Sequence, residues 1–316
     1  MSEPRESGAP YFAKVADGPA DGAAFWLTTR DGVRIRAGLW NAAGPRGTVF
    51  LLPGRTEYIE KYGRTAGVLA AAGFATLSVD WRGQGLADRA FKDRMVGHVG
   101  DFAEYQVDMA ALMALAEGQG LPQPWYLMAH SMGGCIGLRS LMTGLPFQAA
   151  AFSAPMWGVL MADWMRPMAK VLSTASRWFS FDGRFAPSTG PVTYVTSVPF
   201  VGNTLTSDAE MWDYMRQQVL AHPDLALGGP SLGWLKAAMD ECRDLGEMAA
   251  PDYPVLCALG TQERIVDVRP IHARMGAWRG GRLDMYAGAE HEVLMERPAT
   301  REAFLRRAVA LFAAHG

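Results

Sequence analysis

Hydrophobic and polar positions alternate early in the chain and then stop alternating. Val33, Ile35, Ala37 and Leu39 are separated by Arg34, Arg36 and Gly38, the period of a strand with one buried face. Asp31-Gly32 just ahead accepts the positive φ angles of a tight turn, so residues 25–40 read as a hairpin. From Thr48 the pattern changes to short runs, most of them apolar throughout, at 48–52, 75–79, 126–129, 149–152, 255–259 and 282–286. Stretches of helical period lie among them: 59–72, closed by Gly73, and 102–116, which Asp101 is placed to cap. A third opens directly after Ala129. Strands buried on both faces and alternating with helices predict an α/β fold, a mostly parallel sheet flanked by helices.

This rhythm fails between residues 152 and 255. Met156, Trp157, Met161, Trp164, Met165 and Met168 recur there at helical spacing, and Pro187, Gly190, Pro191 and Pro199 then break the chain into loops. Ser207-Asp-Ala-Glu210 reads as a capping box opening a second helix through about Leu220. The expected organisation is a core of residues 1–154 and 229–316 with a helical cap, 155–228, inserted into it. Residues 232–242 form a helix returning to the core. Residues 1–22, rich in Gly, Pro, Ala and Asp, are expected to form a loose arm.

Composition removes several classes of function. A net charge of −2 over 316 residues gives no basis for binding nucleic acid. Cys135, Cys242 and Cys257 are scattered, odd in number and without metal-ligand spacing, which fits reduced thiols and no metal. No apolar run approaches the ~20 residues of a membrane-spanning helix. The polar start of the chain lacks an apolar signal region, so the expected location is the cytoplasm. The Met- and Trp-rich insert suits adaptable binding of acyl chains and transient contact with the inner membrane surface, and equally suits a small cap that needs its own core. Arg166, Lys170, Arg177, Arg184 and Arg216 could meet a phosphate head group there or be solvated.

The candidate chemistry centres on residues 125–137, where an apolar strand runs into Ser131 and a helix begins at once. Such a turn holds a serine in strained backbone geometry and needs small residues two positions to either side. Ala129 and Gly133 fill those places, Ala129 departing from the usual Gly by one methyl. A serine hydroxyl is a poor nucleophile unless a base lies in hydrogen-bond reach and a third group orients that base. In this architecture the chain order is Ser, acid, His. His291 follows the last strand and is the candidate base; His98 fits a structural hydrogen bond, and His130 is expected to point away from Ser131. Glu263 and Asp267 both follow the strand at 255–259. Glu263 lies nearer the strand end, whereas Asp267 could instead cap a helix beginning near Val268. The oxyanion donors would be the backbone N–H groups of Met132 and Arg55, so the Arg55 side chain need not matter, while Gly54 lets a carbonyl oxygen approach. Asp80 and Arg82, in Asp80-x-Arg-Gly-x-Gly, are expected to pin a tight turn. Glu57 fits an ion pair fixing the neighbouring loop, with substrate contact as the alternative.

Leu52-Pro-Gly-Arg-Thr-Glu57, Asp80-Trp-Arg-Gly-Gln-Gly85, Gly97-His-Val99, Ala129-His-Ser-Met-Gly133, Glu263-Arg-Ile-Val-Asp267 and Gly288-Ala-Glu-His-Glu292 together resemble the α/β-hydrolase family of lysophospholipase L2 and monoacylglycerol lipases. Pro53-Gly54 stands where monoacylglycerol lipases resemble a His-Gly opening, and Glu263 where they carry Asp, so the resemblance leans to the bacterial lysophospholipase L2 branch. It implies a triad of Ser131, Glu263 and His291, oxyanion donors on Arg55 and Met132, and hydrolysis of an ester on a single-chain lipid without metal or organic cofactor. Gly54, Glu57, Trp157 and Met161 are the expected substrate contacts. The rival expectations are acyl transfer or broad carboxylesterase activity, and, from another class, a catalytically silent ligand-binding protein. Oligomeric state has no signal in the sequence.

Overall fold

The structure, a computed structural model, describes residues 8–43, 45–161 and 181–316. Eight strands form one sheet: β1 (Ala23–Thr28), β2 (Arg34–Trp40), β3 (Thr48–Leu52), β4 (Ala75–Asp80), β5 (Trp125–His130), β6 (Phe147–Ser153), β7 (Val255–Gly260) and β8 (Gly281–Tyr286). Their order is β1-β2-β4-β3-β5-β6-β7-β8. The hairpin β1–β2 and the pair β2–β4 are antiparallel, and every pairing from β4 through β8 is parallel.

Helices cover both faces: α1 (Gly63–Ala71), α2 (Ala103–Gly118), α3 (Ser131–Met142), α4 (Ala209–Ala221), α5 (Leu232–Glu247), α6 (Val268–Ala277) and α7 (Pro298–Ala313). The central strands explain why their sequences do not alternate. Phe50, Leu52, Leu127 and Ala129 face a core shared with Leu112, Ile136 and Leu245 of α2, α3 and α5. Val49, Leu51, Tyr126 and Met128 face the opposite core, with Leu69 of α1 and Phe304 and Phe312 of α7. Successive side chains thus leave the sheet on opposite sides, and both sides are dry. Each large apolar side chain so buried contributes roughly 1.5–3 kcal/mol.

Three expectations are corrected. The helix expected over 59–72 is a 3-10 turn, Ile59–Tyr62, followed by α1: the N–H groups of Lys61 and Gly63 donate three residues back, to Tyr58 and Glu60, and Asp80 Oδ1 accepts from the Ile59 N–H at 2.8 Å. The cap of α4 is Asp208, not Ser207: Asp208 accepts from the N–H groups of Glu210 and Met211, while the Ser207 hydroxyl donates to Glu296 at 2.5 Å. Residues 8–22 are not loose. Arg36 donates to the Pro10 carbonyl at 2.7 Å, Trp40 to the Tyr11 hydroxyl at 2.7 Å, and Phe12 stacks on His222.

Asp101 accepts from the Ala103 N–H at 2.9 Å, and Glu104 reaches back to the Asp101 N–H, a reciprocal cap on α2. Asp80 ties the turn after β4 through the Leu86 N–H and Arg36, and Arg82 binds Asp31, Glu104 and Asp108.

The stretch 188–230 lies across the carboxyl ends of the strands, where it lines the same cavity as Ser131. Its helix α4 packs on the 59–62 turn, where Gln218 donates to the carbonyls of Val15 and Glu60. Trp164, Arg166, Met165, Met168, Lys170 and Arg177 lie outside the described residues.

Candidate active site

Strand β5 ends at His130 in extended geometry, φ −115° and ψ 138°, and α3 begins at the next residue, with no loop between them. Ser131 absorbs the reversal with φ +49°. A non-glycine residue in that region costs about 1–2 kcal/mol, which the packing around it must supply. Gly133 is required by close approach, since a Cβ there would strike the carbonyl oxygens of Leu52 and Pro53. The serine is therefore raised above the sheet edge at the floor of a cavity of about 510 Å3, which His291 also lines.

His291 sits in the loop after β8, and Glu263 in the turn after β7. Parallel neighbours in the sheet, β7 and β8 deliver both to one place, and His291 Nδ1 lies 2.6 Å from Glu263 Oε2. The second oxygen of Glu263 accepts from the N–H groups of Ile265 and Val266 at 2.6 and 3.0 Å. Burial pushes this carboxyl up, but the bond from His291, its charge and the two N–H donors outweigh that and leave it below the usual carboxylate range. Glu263 is thus held as an anion oriented on the ring. The His291 loop is also tied from outside the core: the N–H groups of His291 and Glu292 donate to the carbonyls of Thr204 and Leu205 at 3.3 and 2.8 Å.

Asp267 caps α6, accepting from the Arg269 N–H at 3.1 Å, and pairs with the Arg269 guanidinium at 2.7 Å.

Among the described residues, neither the Arg55 nor the Met132 backbone N–H finds an acceptor, which leaves both open to a ligand oxygen. The loop carrying Arg55 is fixed by Glu57, whose carboxylate accepts from the Gly54 N–H and from the Tyr62 hydroxyl. Gln84 holds the same loop through the carbonyls of Gly54 and Glu57 at 2.8 and 2.9 Å.

The ion pair expected at Glu57 is present, but sequence reasoning missed the cluster it belongs to. Lys61 Nζ bridges Glu57 and Glu292 at 2.6 and 2.5 Å, all three buried. His130 does not point clear of the site. Its ring lies 4.7 Å from that of His291, its Nδ1 is 3.0 Å from the Ser153 carbonyl, and its Nε2 is 3.6 Å from Glu57. Burial is the main reason its pKa falls to about 3, so it is a neutral ring. Glu57, His130 and Glu292 offer ligand atoms within 4.8 Å of one another, but the Lys61 ammonium already bridges both carboxylates. The available signal was Lys61 itself, four residues after Glu57.

Of the expected substrate contacts, Glu57 lines the cavity but is consumed by its ion pair. Gly54 lies behind it, against Glu57 and His130. Trp157 is placed elsewhere: it is buried beneath α3, donates to the Gly134 carbonyl at 3.1 Å and stacks on Trp278. It faces a second, smaller cavity, about 330 Å3, with Lys236 and Asp240. Met161 is half-buried and not in the lining. The chain turns away after β6, so the beginning of the 155–228 stretch packs on the core and its later part, from Ser188 to Gly229, forms the outer wall.

A strained serine between strand and helix, a His–Glu pair on the next strand ends and an eight-stranded, mostly parallel sheet define an α/β-hydrolase. Comparison with known proteins agrees. Residues 43–298 match the family model described as serine aminopeptidase, S33, and the chain belongs to that family. It is 30% identical to lysophospholipase L2 of Escherichia coli strain K12, with 96% of this chain and 93% of that protein covered. It is 25% identical to the probable lysophospholipase L2 of Haemophilus influenzae, over 83% of this chain and 82% of that protein. A soluble variant of monoglyceride lipase from Saccharomyces cerevisiae, solved with a substrate analogue, superposes with a TM-score of 0.71 at 19% identity, covering 97% and 100% of the two chains.

Proposed function

We propose that the protein hydrolyses the carboxylic ester of a lipid with a single acyl chain, a lysophospholipid or a monoacylglycerol, through an acyl-enzyme on Ser131. The observation that carries this reading is the His291–Glu263 contact of 2.6 Å beside a cavity that Ser131 and His291 both line. His291 takes the hydroxyl proton as Ser131 attacks the acyl carbonyl, and returns it to the leaving alcohol. Glu263 keeps the ring in one tautomer and stabilises the imidazolium. The N–H groups of Arg55 and Met132 hold the developing oxyanion. Water then releases the fatty acid through the same base.

The lining supports an acyl chain: Tyr58, Val192, Met215, Val219, Leu227 and Ile265 supply apolar surface within a volume suited to one small ligand. The relatives' names point the same way. The family description names an aminopeptidase, which must bind a substrate ammonium. That chemistry is less well supported, because Glu57 and Glu292, the carboxylates in the lining, are both taken by Lys61. Residues 155–228 serve in this reading as the cap over the acyl chain, meeting the lipid surface transiently; no described helix is long and apolar enough to cross a membrane.

The test is fatty-acid release from lysophosphatidylcholine and monoacylglycerol of equal chain length, with Ser131→Ala as the blank. Release abolished in the blank is expected. Silence on both lipids, with Ser131 still labelled by a fluorophosphonate, overturns the substrate class and leaves the triad standing.

A further inference from the structure

Among the described residues, the three fully buried cations are paired. Arg36 meets Glu60 and Asp80, Arg82 meets three carboxylates, and Lys61 bridges two. Among the same residues, half-buried Arg55, like Arg89 and Arg274, is held by backbone carbonyl and not by carboxylate, and of these three it alone lines the cavity. Its one hydrogen bond there runs from a terminal nitrogen to the Gly228 carbonyl at 3.0 Å, so most of its five N–H donors stay uncommitted. The guanidinium lies 5.5 Å from the Trp234 ring centroid. Burial lowers its pKa to about 10, which leaves it charged at neutral pH.

The chain makes room for this group. A Cβ on Gly97 would come within 2.8 Å of the Arg55 terminal nitrogen, and Gly228 and Gly229 form the adjoining wall with Ser188 and Thr189. A charge held partly out of water without a counter-ion is costly, and a group that accepts two N–H bonds at once would recover that cost.

From this geometry we infer that the Arg55 guanidinium receives the head-group phosphate of a lysophospholipid and so selects that substrate over neutral monoacyl lipids. The inference rests on the ester-hydrolase reading, with the Arg55 N–H as an oxyanion donor. The number of bonds from the Arg55 backbone nitrogen to its Cζ equals that from the acyl carbonyl carbon to phosphorus in a 1-acyl glycerophospholipid. A substrate whose carbonyl oxygen rests on the Arg55 N–H is therefore long enough for its phosphate to reach the same residue's fork. Arg55 thereby reads both ends of the glycerol. A planar fork matches phosphate oxygens in pairs, which a lysine cannot do.

The test measures kcat/KM on lysophosphatidylcholine and on monoacylglycerol of equal chain length, both below micellar concentration, for the wild type, Arg55→Met and Arg55→Lys. The ratio of the two values is expected to fall about 10- to 100-fold in Arg55→Met, the scale of a lost charge-assisted bond, and by less in Arg55→Lys. A purely structural role in the loop lowers both substrates together, and an unchanged ratio overturns the inference. Glycerophosphocholine is the second probe, competing with a short p-nitrophenyl ester. It should inhibit the wild type and inhibit Arg55→Met more weakly by a similar factor. Equal inhibition of the two, or none of the wild type, overturns the assignment. If the wild type cleaves neither lipid, the substrate reading has failed, and this competition still decides whether Arg55 holds a phosphate.

Discussion

The inner wall of the cavity, built from strand-end loops, holds Glu57, Lys61, His130 and Glu292 almost out of water, each tied to at least one neighbour. The outer wall, from residues 188–230 and the turn after Glu263, presents Val192, Tyr194 and Ile265 at 59%, 36% and 36% exposure. One wall is fixed by charges whose separation is expensive; the other is made of groups that water already reaches. The chemistry demands atoms placed to within a fraction of an ångström, whereas an acyl chain demands only apolar area. Mutations on the inner wall should therefore alter stability and turnover, and those on the outer wall chiefly substrate affinity.

The largest effect expected is at the floor between the walls. Ser131→Ala should lower kcat by about 10^4- to 10^6-fold and abolish fluorophosphonate labelling, because the remaining donors still bind ester but nothing attacks it. Next comes Glu263→Gln, which keeps the shape and loses the anion, at a cost of about 10^2- to 10^4-fold in kcat. Asp267→Ala separates the two acids: as a helix cap it should cost about 1 kcal/mol of unfolding free energy while turnover falls far less than in Glu263→Gln.

Lys61→Met tests the inner wall directly. It leaves two buried carboxylates facing each other and should destabilise by about 3–5 kcal/mol, read from urea unfolding. Adding Glu57→Gln and Glu292→Gln should recover part of that loss; no recovery would mean that Lys61 matters for packing and not for charge.

The inner wall also predicts a pH dependence. His130 is neutral when folded, with a pKa of about 3, but takes a proton near 6.5 when unfolded. Its contribution is complete above pH ~6.5 and is lost as pH falls toward about 3, since the unfolded state binds the extra proton. Urea midpoints at pH 7, 6 and 5 should decline, and His130→Gln should flatten that decline. The smallest effect belongs to the outer wall: Val192→Ser should change kcat/KM by no more than about fivefold and leave the unfolding midpoint within ~0.5 kcal/mol of wild type.

Much of the architecture was legible because its signals are local. Asp31-Gly32, the apolar strands and the small residues flanking Ser131 each act through backbone neighbours, and β7 and β8 place their turns where the topology requires. The ion pair of Glu57 was legible, with Lys61 four residues on, but not the rest of the cluster, because Lys61 and Glu292 are 231 positions apart in the chain and meet only through the fold. The role of Ser207 was misread for the same reason: its partner Glu296 is 89 positions away, and the local cap fell to Asp208. Trp157 was misplaced because helical spacing identifies a packed face without naming what it packs against. For residues 8–22, composition suggested looseness, but Pro10 and Tyr11 are anchored by Arg36 and Trp40 of β2.

The two backbone bonds from the His291 loop to Thr204 and Leu205 bear on which parts of the outer wall can be exchanged. A segment that merely roofed the substrate could be exchanged between relatives as a unit. Here the stretch around Leu205 is also a splint for the loop that carries His291, so a graft must keep it and join on either side. Substitutions within 188–200 should then change specificity, whereas changes at 203–206 should disturb the His291 loop they brace.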